Sequence, residues 1–147
     1  MKSLIIPDSV LVSLHASSKK QVLQELSHKA ASLLDMPERE ILEALMEREK
    51  LGSTGIGKGI AIPHCRLPGL TRVAGIFAKL DPAVEFESVD SQPVDLVFLL
   101  MAPTSAGADH LRALATISRC LRNENTCAKL RGTSTPDAIH AILLEDV

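Results

Sequence analysis

The sequence predicts an α/β fold: a mixed central sheet with helices on both faces. Three observations carry that prediction. Val94 to Leu100 is almost wholly apolar, as expected of a central strand covered on both sides. Runs with helical spacing, such as Val22, Leu23, Leu26, Ala30, Leu33 and Leu34, alternate unevenly with strand-like runs. The 147 residues are 46% hydrophobic and 23% charged, a globular composition with enough chain for one real core.

Taken in order, Val10 to Leu14 reads as a short half-buried strand. Ser18 with Gln21 forms a capping box that opens the first helix. Asp35 with Glu38 is expected to cap a second helix, with Pro37 in its first turn and Ile41, Leu42, Leu45 and Met46 as its apolar stripe. This helix should end near Lys50, before Gly52. A glycine-rich stretch and the short apolar run Ile60 to Ile62 follow. Val73 to Leu80 reads as a strand, and Pro82 to Pro93 as a loop with one short strand near Phe86. After the central strand, Pro103 to Gly107 is expected to be a loop. Asp109 should cap a helix bearing Leu114, Ile117 and Leu121 on one face. A helical turn is expected around Cys127 to Leu130. Thr135 and Pro136 then open a last helix.

Composition excludes several functions. The formal net charge of -2 argues against sequence-blind nucleic-acid binding and against a polybasic membrane anchor. Phe77, Phe86 and Phe98 are the whole aromatic complement, too few for a base-stacking platform. Cys65, Cys120 and Cys127 make an odd count, which favours a reducing compartment. The apolar run Leu96 to Ala102 falls far short of the ~20 residues of a membrane helix. Pro7, Asp8 and His15 interrupt any signal-peptide core. A soluble cytoplasmic protein is expected, with no membrane insertion and no nucleic-acid partner.

The feature that most needs explaining is the cluster Gly52, Gly55, Gly57 and Gly59. Gly52, Gly57 and Lys58 fit GxxxxGK, but Gly59 stands where a P-loop needs the Ser or Thr that holds magnesium. The preceding segment also reads as a helix and not a strand. A dinucleotide fingerprint fails at Ile60 and Ile62. What remains is close backbone approach and amides able to face an anion. His64 follows, a nucleophile near neutral pH. Thr54, the glycines and the guanidinium of Arg48 are placed to reach an anion on it. From the residues alone, His64 reads equally as a loop histidine satisfied by its surroundings.

His110 opens the later helix. It reads as a boundary histidine, or as a neighbour of His64 stabilising transferred charge. No histidine or cysteine spacing fits a structural metal, so no metal and no cofactor are expected. Cys65 beside His64 is not a Cys-His catalytic pair, because adjacent side chains diverge; Cys120 and Cys127 read as small core residues. Glu47 to Lys50 reads as a solvated helix end, with Arg48 singled out by its place before the glycines. Arg66 and Arg72 would add positive potential, with exposure as the default reading.

The stretch Arg48 to Gly57 (REKLGSTGIG), followed by Gly59 to His64 (GIAIPH), closely resembles the mannitol/fructose-type EIIA family of the phosphoenolpyruvate-dependent phosphotransferase system. Within it, the sequence is most similar to the nitrogen-regulatory branch. The resemblance extends through Gln92 to Leu96, the Ala102-Pro103 turn and His110-Leu111. It implies one EIIA type-2 domain over residues 1-147, folded as a three-layer α/β/α sandwich with a mixed sheet. It implies that a phosphohistidine carrier protein phosphorylates His64 at Nε2, with Arg48 binding the phosphoryl group and His110 as second histidine. Thr54, Gly55 and Gly57 would line the phosphoryl environment. Regulated targets such as a kinase or transporter are implied as further partners, and homodimerisation stays open. Family members commonly carry glycine where this chain has Cys65, so a narrowed approach and an oxidisable thiol are expected there.

Three readings compete: a regulatory phosphoryl carrier, a sugar-specific EIIA component passing phosphate to a transporter's B domain, and an interaction domain without phosphotransfer. The first is favoured by the combination of His64, Arg48, His110 and the glycine loop. It describes a carrier with a phosphohistidine intermediate more than a turnover catalyst.

Overall fold

The computed structural model describes residues 4, 5 and 7-145. The expected domain over 1-147 therefore has residues 1-3, 6, 146 and 147 outside the described residues. A 3-10 turn, Pro7–Ser9, leads into β1 (Val10–Leu14). Then come α1 (Lys19–Leu34), α2 (Glu38–Lys50), β2 (Gly55–Gly57), β3 (Ile60–Ala61) and β4 (His64–Leu67). The long strands β5 (Ala74–Val84) and β6 (Val94–Pro103) precede α3 (Ala108–Arg122), α4 (Glu124–Arg131) and α5 (Pro136–Glu145).

The sheet is mixed, in the order β1-β5-β6-β3-β2. Strand β1 runs parallel to β5, β5 antiparallel to β6, and β2 antiparallel to β3. Strands β3 and β4 share one side of β6 and both run parallel to it. β3 pairs with Leu96 and Val97, and β4 pairs from Leu100 to Pro103. They are two pieces of one line, broken at Ile62-Pro63, where proline offers no N–H to a ladder.

Two cores sandwich this sheet. On one face Leu23, Leu26, Ile41 and Leu45 of α1 and α2 pack on Val97, Leu99 and Met101. On the other, Ile117, Leu121, Leu130, Ile139 and Leu143 of α3–α5 pack on Leu96, Phe98 and Leu100. Alternate residues of β6 feed opposite cores, which explains its unbroken apolar run. The three-layer α/β/α architecture is thus as the sequence predicts.

Several local expectations change. Asp35 does not cap α2; it closes α1 in the left-handed conformation (φ 53°), which a short polar side chain tolerates. Pro37 occupies the N-cap of α2, with no side-chain hydrogen bond there. The Ser18 cap holds, its Oγ accepting from Gln21 N at 3.2 Å, while Gln21 Oε1 accepts from Ser17 N. Pro82 does not end β5, because it falls where the β5–β6 register shifts between Lys79 and Val84 and no ladder N–H is required. Phe86 forms no strand; it is a fully buried plug with the Lys19 ammonium 5.0 Å from its ring centre. Strand β6 runs through Pro103, so the expected loop starts later. Gly107 (φ 51°), and not Asp109, is the N-cap of α3; Asp109 lies in the first turn and pairs with Arg112. The turn near Cys127 is a full helix, capped by Asn123 Oδ1 accepting from the amides of Asn125 and Thr126.

Candidate functional site

The glycine cluster builds a tight hairpin. Gly57, Lys58 and Gly59 take φ of +102°, +58° and +80° in succession, a left-handed run that glycine makes affordable. Gly59 is also hemmed in: a Cβ there would lie 2.7 Å from Arg131 Nη2 and 2.8 Å from Asp95 Oδ1. Arg131 forks onto both carboxylate oxygens of Asp95 and donates to Lys58 O at 2.9 Å, stapling α4 to the hairpin. At Gly55 a Cβ would collide with Ser88 Oγ. Gly55 and Gly57 therefore serve close packing against the segment Ser88 to Asp90, and Gly59 against Asp95 and Arg131 of α4.

The chain then pairs β3 with β6, breaks at Ile62-Pro63 and delivers His64 as the first residue of β4 and not as part of a loop. His64 is half-buried. Its Nδ1 lies 2.9 Å from Ile62 O, and Arg48 Nε donates to its Nε2 at 3.2 Å. A carbonyl only accepts and a guanidinium only donates. Both contacts are met by one species, neutral imidazole with its proton on Nδ1 and its lone pair on Nε2. Burial pushes the His64 pKa below its usual value; the Ile62 carbonyl opposes this, Arg48 reinforces it and Glu49 opposes it.

Arg48 sits in the last turn of α2, and its Nη1 donates to Gly52 O at 2.9 Å. His110, in the first turn of α3, stands edge-on to His64 with ring centres 5.7 Å apart. It is 5% exposed, and among the described residues its buried Nδ1 has no hydrogen-bond partner. Burial lowers its pKa, and His64 and Arg66 act in the same direction. The three residues singled out by the sequence thus converge: an imidazole with its lone pair on Nε2, a guanidinium held against that lone pair, and a second imidazole edge-on to the first. Among the described residues, no group of three or more His, Cys, Asp or Glu side chains is placed to hold a metal ion.

Thr54 and Gly55 have their donors engaged within the chain, and Gly57 packs on an acidic side chain. The Thr54 hydroxyl donates to Glu49 Oε2 at 2.6 Å and its amide to Glu49 Oε1 at 3.1 Å. The Gly55 amide donates to Ser53 Oγ at 3.0 Å. Gly57 backs onto the Asp90 carboxylate, 3.2 Å from where its Cβ would be. Thr54 is linked to His64 through the main chain, since Thr54 O accepts from Ile62 N at 3.0 Å.

Glu49 and Lys19 are the residues that sequence reasoning missed. Glu49 is not part of a solvated helix end: its side chain is 6% exposed and lies 2.8 Å from Lys19 Nζ. The signal was present, because Ile41, Leu45 and Glu49 continue one helical stripe at four-residue spacing. Cys65 also departs from expectation. It points to the α1–α2 core, is 6% exposed, and burial pushes its thiol pKa up to about 12. The side chain after His64 on a strand faces the opposite way, so Cys65 does not narrow the approach. Cys120 and Cys127 are buried in the other core as expected. The remaining histidines lie against other groups: His15 against Asp81 O, His28 against Glu38 and His140 against Ile5 O. Arg66 and Arg72 are exposed.

Residues 3-146 match the family model described as "Phosphoenolpyruvate-dependent sugar phosphotransferase system, EIIA 2". A nitrogen regulatory protein of Bradyrhizobium diazoefficiens is 53% identical over 140 residues, covering 95% of this chain and 92% of that protein. The crystal structure of nitrogen regulatory protein IIA-Ntr from Neisseria meningitidis superposes with a TM-score of 0.91 at 30% identity, covering 96% of this chain and 97% of that one. IIA mannitol from Escherichia coli shares the fold, with a TM-score of 0.80 at 18% identity over 95% of this chain and 98% of that one. A histidine readied at Nε2 beside an arginine, on this sheet and across nearly the full chain, belongs with these matches: the chain is a member of the EIIA type-2 family of the phosphoenolpyruvate-dependent phosphotransferase system.

Proposed function

We propose that this protein is a regulatory phosphoryl carrier. His64 Nε2 attacks the phosphorus of a phosphohistidine on a carrier protein; the new Nε2–P bond forms as the donor's N–P bond breaks. The donor imidazole leaves with the bonding electron pair. The observation that carries this reading is the pair of contacts that leaves the His64 lone pair at Nε2. The Nδ1 proton stays in place, and Ile62 O stabilises the positive charge the ring gains. Arg48 moves its donors from Nε2 to the phosphoryl oxygens, where a charge-assisted contact is strongest. No proton has to be removed for the transfer.

Docking of the carrier is supported by apolar surface beside the site. Leu51, just past α2, is 85% exposed, and Leu111, next to His110, is 65% exposed. Phosphorylation adds about two negative charges, enough to change which partner binds this face. The nitrogen regulatory name of the 53% identical relative favours a regulatory output; a kinase or a transporter is the class of target proposed for it. The reading places the chain in the cytoplasm as one domain; among the described residues, no helix is long and apolar enough to cross a membrane.

Incubation with phosphoenolpyruvate, the first enzyme of the system and its histidine carrier tests the proposal. Mass spectrometry should find one acid-labile phosphoryl group on the protein and none on His64→Ala. An unlabelled wild type, or full labelling of the variant, would refute it.

A further inference from the structure

We propose that Glu49 is a positioning residue that holds His64 in its Nδ1–H tautomer, acting through Thr54 and Ile62. The carboxylate grips Thr54 twice, at the hydroxyl (2.6 Å) and at the amide (3.1 Å). Thr54 O then accepts from Ile62 N at 3.0 Å, and Ile62 O faces His64 Nδ1 at 2.9 Å. Beyond Thr54 every link before the imidazole is main chain, so fixing Thr54 fixes the carbonyl that chooses the tautomer. The path also starts one residue from Arg48, whose Nε occupies the other ring nitrogen. One helix end thereby sets both sides of the imidazole.

Stability alone does not account for a carboxylate at this place. Glu49 continues the Ile41–Leu45 stripe, and both of those side chains are fully buried. A buried ion pair such as Glu49–Lys19 gains little over apolar residues of similar volume. What an apolar residue would not supply is two acceptor oxygens for Thr54. Fully satisfied polar networks rigidify their surroundings and select one arrangement. The histidine that needs a single arrangement is His64.

The effect on transfer rate rests on the function proposed above; the effect on the tautomer does not. The test uses Glu49→Gln and Thr54→Val, which keep side-chain volume while weakening or deleting the grip. Nitrogen-15 NMR of the His64 ring, at a pH where it is neutral, reads the tautomer directly. Single-turnover transfer from the phosphorylated carrier reads the rate, and urea unfolding separates loss of fold from loss of position. The wild type should show one tautomer with the proton on Nδ1. Both variants should show a mixture while still folded, and transfer should slow about tenfold, which corresponds to ~1.4 kcal/mol of barrier. An unchanged tautomer in both variants, or rates in both within about twofold of wild type, overturns the proposal. Should the wild type accept no phosphoryl group, the proposed function falls and the tautomer measurement alone decides the role of Glu49.

Discussion

Replacing Arg48 with alanine removes two hydrogen bonds, one to His64 Nε2 and one to Gly52 O. Only the first set of donors is positioned to follow the lone pair onto a transferred phosphoryl group. A hydrogen bond from a charged donor is worth roughly 1.5–3 kcal/mol. If that stabilisation is expressed in the transition state, transfer should slow by roughly ten- to 150-fold. The bond to Gly52 O lies at an exposed helix end, so its loss should cost the fold less than about 1 kcal/mol. Rapid-quench single turnover from the phosphorylated carrier gives the rate, and urea unfolding gives the stability. A second readout is independent of transfer. Arg48 lowers the His64 pKa, so its removal should raise that pKa. A rate within about twofold of wild type refutes the catalytic role. A His64 pKa that falls on removing Arg48 refutes the electrostatic account.

Three further outcomes are expected. Gly59→Ala forces a methyl group into the Arg131–Asp95 fork at φ +80° and should destabilise the protein by about 1–3 kcal/mol, read as a lower urea midpoint. His64 and His110 both titrate below 6.5 when folded, so between their native values and 6.5 the unfolded chain binds more protons. Their contribution to stability is therefore complete above that window and is lost as pH falls through it. The double variant His64→Gln, His110→Gln should show a shallower fall in urea midpoint over the same pH range. Cys65 should react with iodoacetamide far more slowly in the native protein than in urea, because it is buried and its thiol pKa is pushed up to about 12. Peptide mapping showing equal rates would contradict its place in the core.

The layers and the central strand were legible because they rest on period and burial, which sequence displays openly. The Val94–Leu100 run could hardly be anything but a covered strand, and Ser18 could be read as a cap from one hydroxyl and one Gln21. Less legible were positions where one residue had two local uses. Asp35 is as good a left-handed helix terminus as it is a cap, and only the three-residue connection to α2 decides between them. Pro82 would stop an ordinary strand, but a register shift that leaves no partner for its missing N–H is a pairing property and not a local one. In the site, His64 and Arg48 stood out by flanking the glycine cluster and His110 by opening a helix, while their shared role came from the family resemblance. Their convergence could not be read from spacing, since Arg48 and His110 lie on opposite layers. Thr54 could be placed near the site, but not the direction of its hydroxyl, because that depends on a glutamate hidden inside a run of charges.

Arg48 reaches His64 from the layer that packs on Leu99, and His110 approaches from the layer that packs on Phe98. The imidazole therefore sits between the jaws of a caliper whose two arms are otherwise separated by the full thickness of the sheet. Sliding either layer against the sheet alters the span at the jaws even if no residue near His64 is touched. The converse follows as well: a charge placed between the jaws lies within reach of a side chain from each helix layer at once.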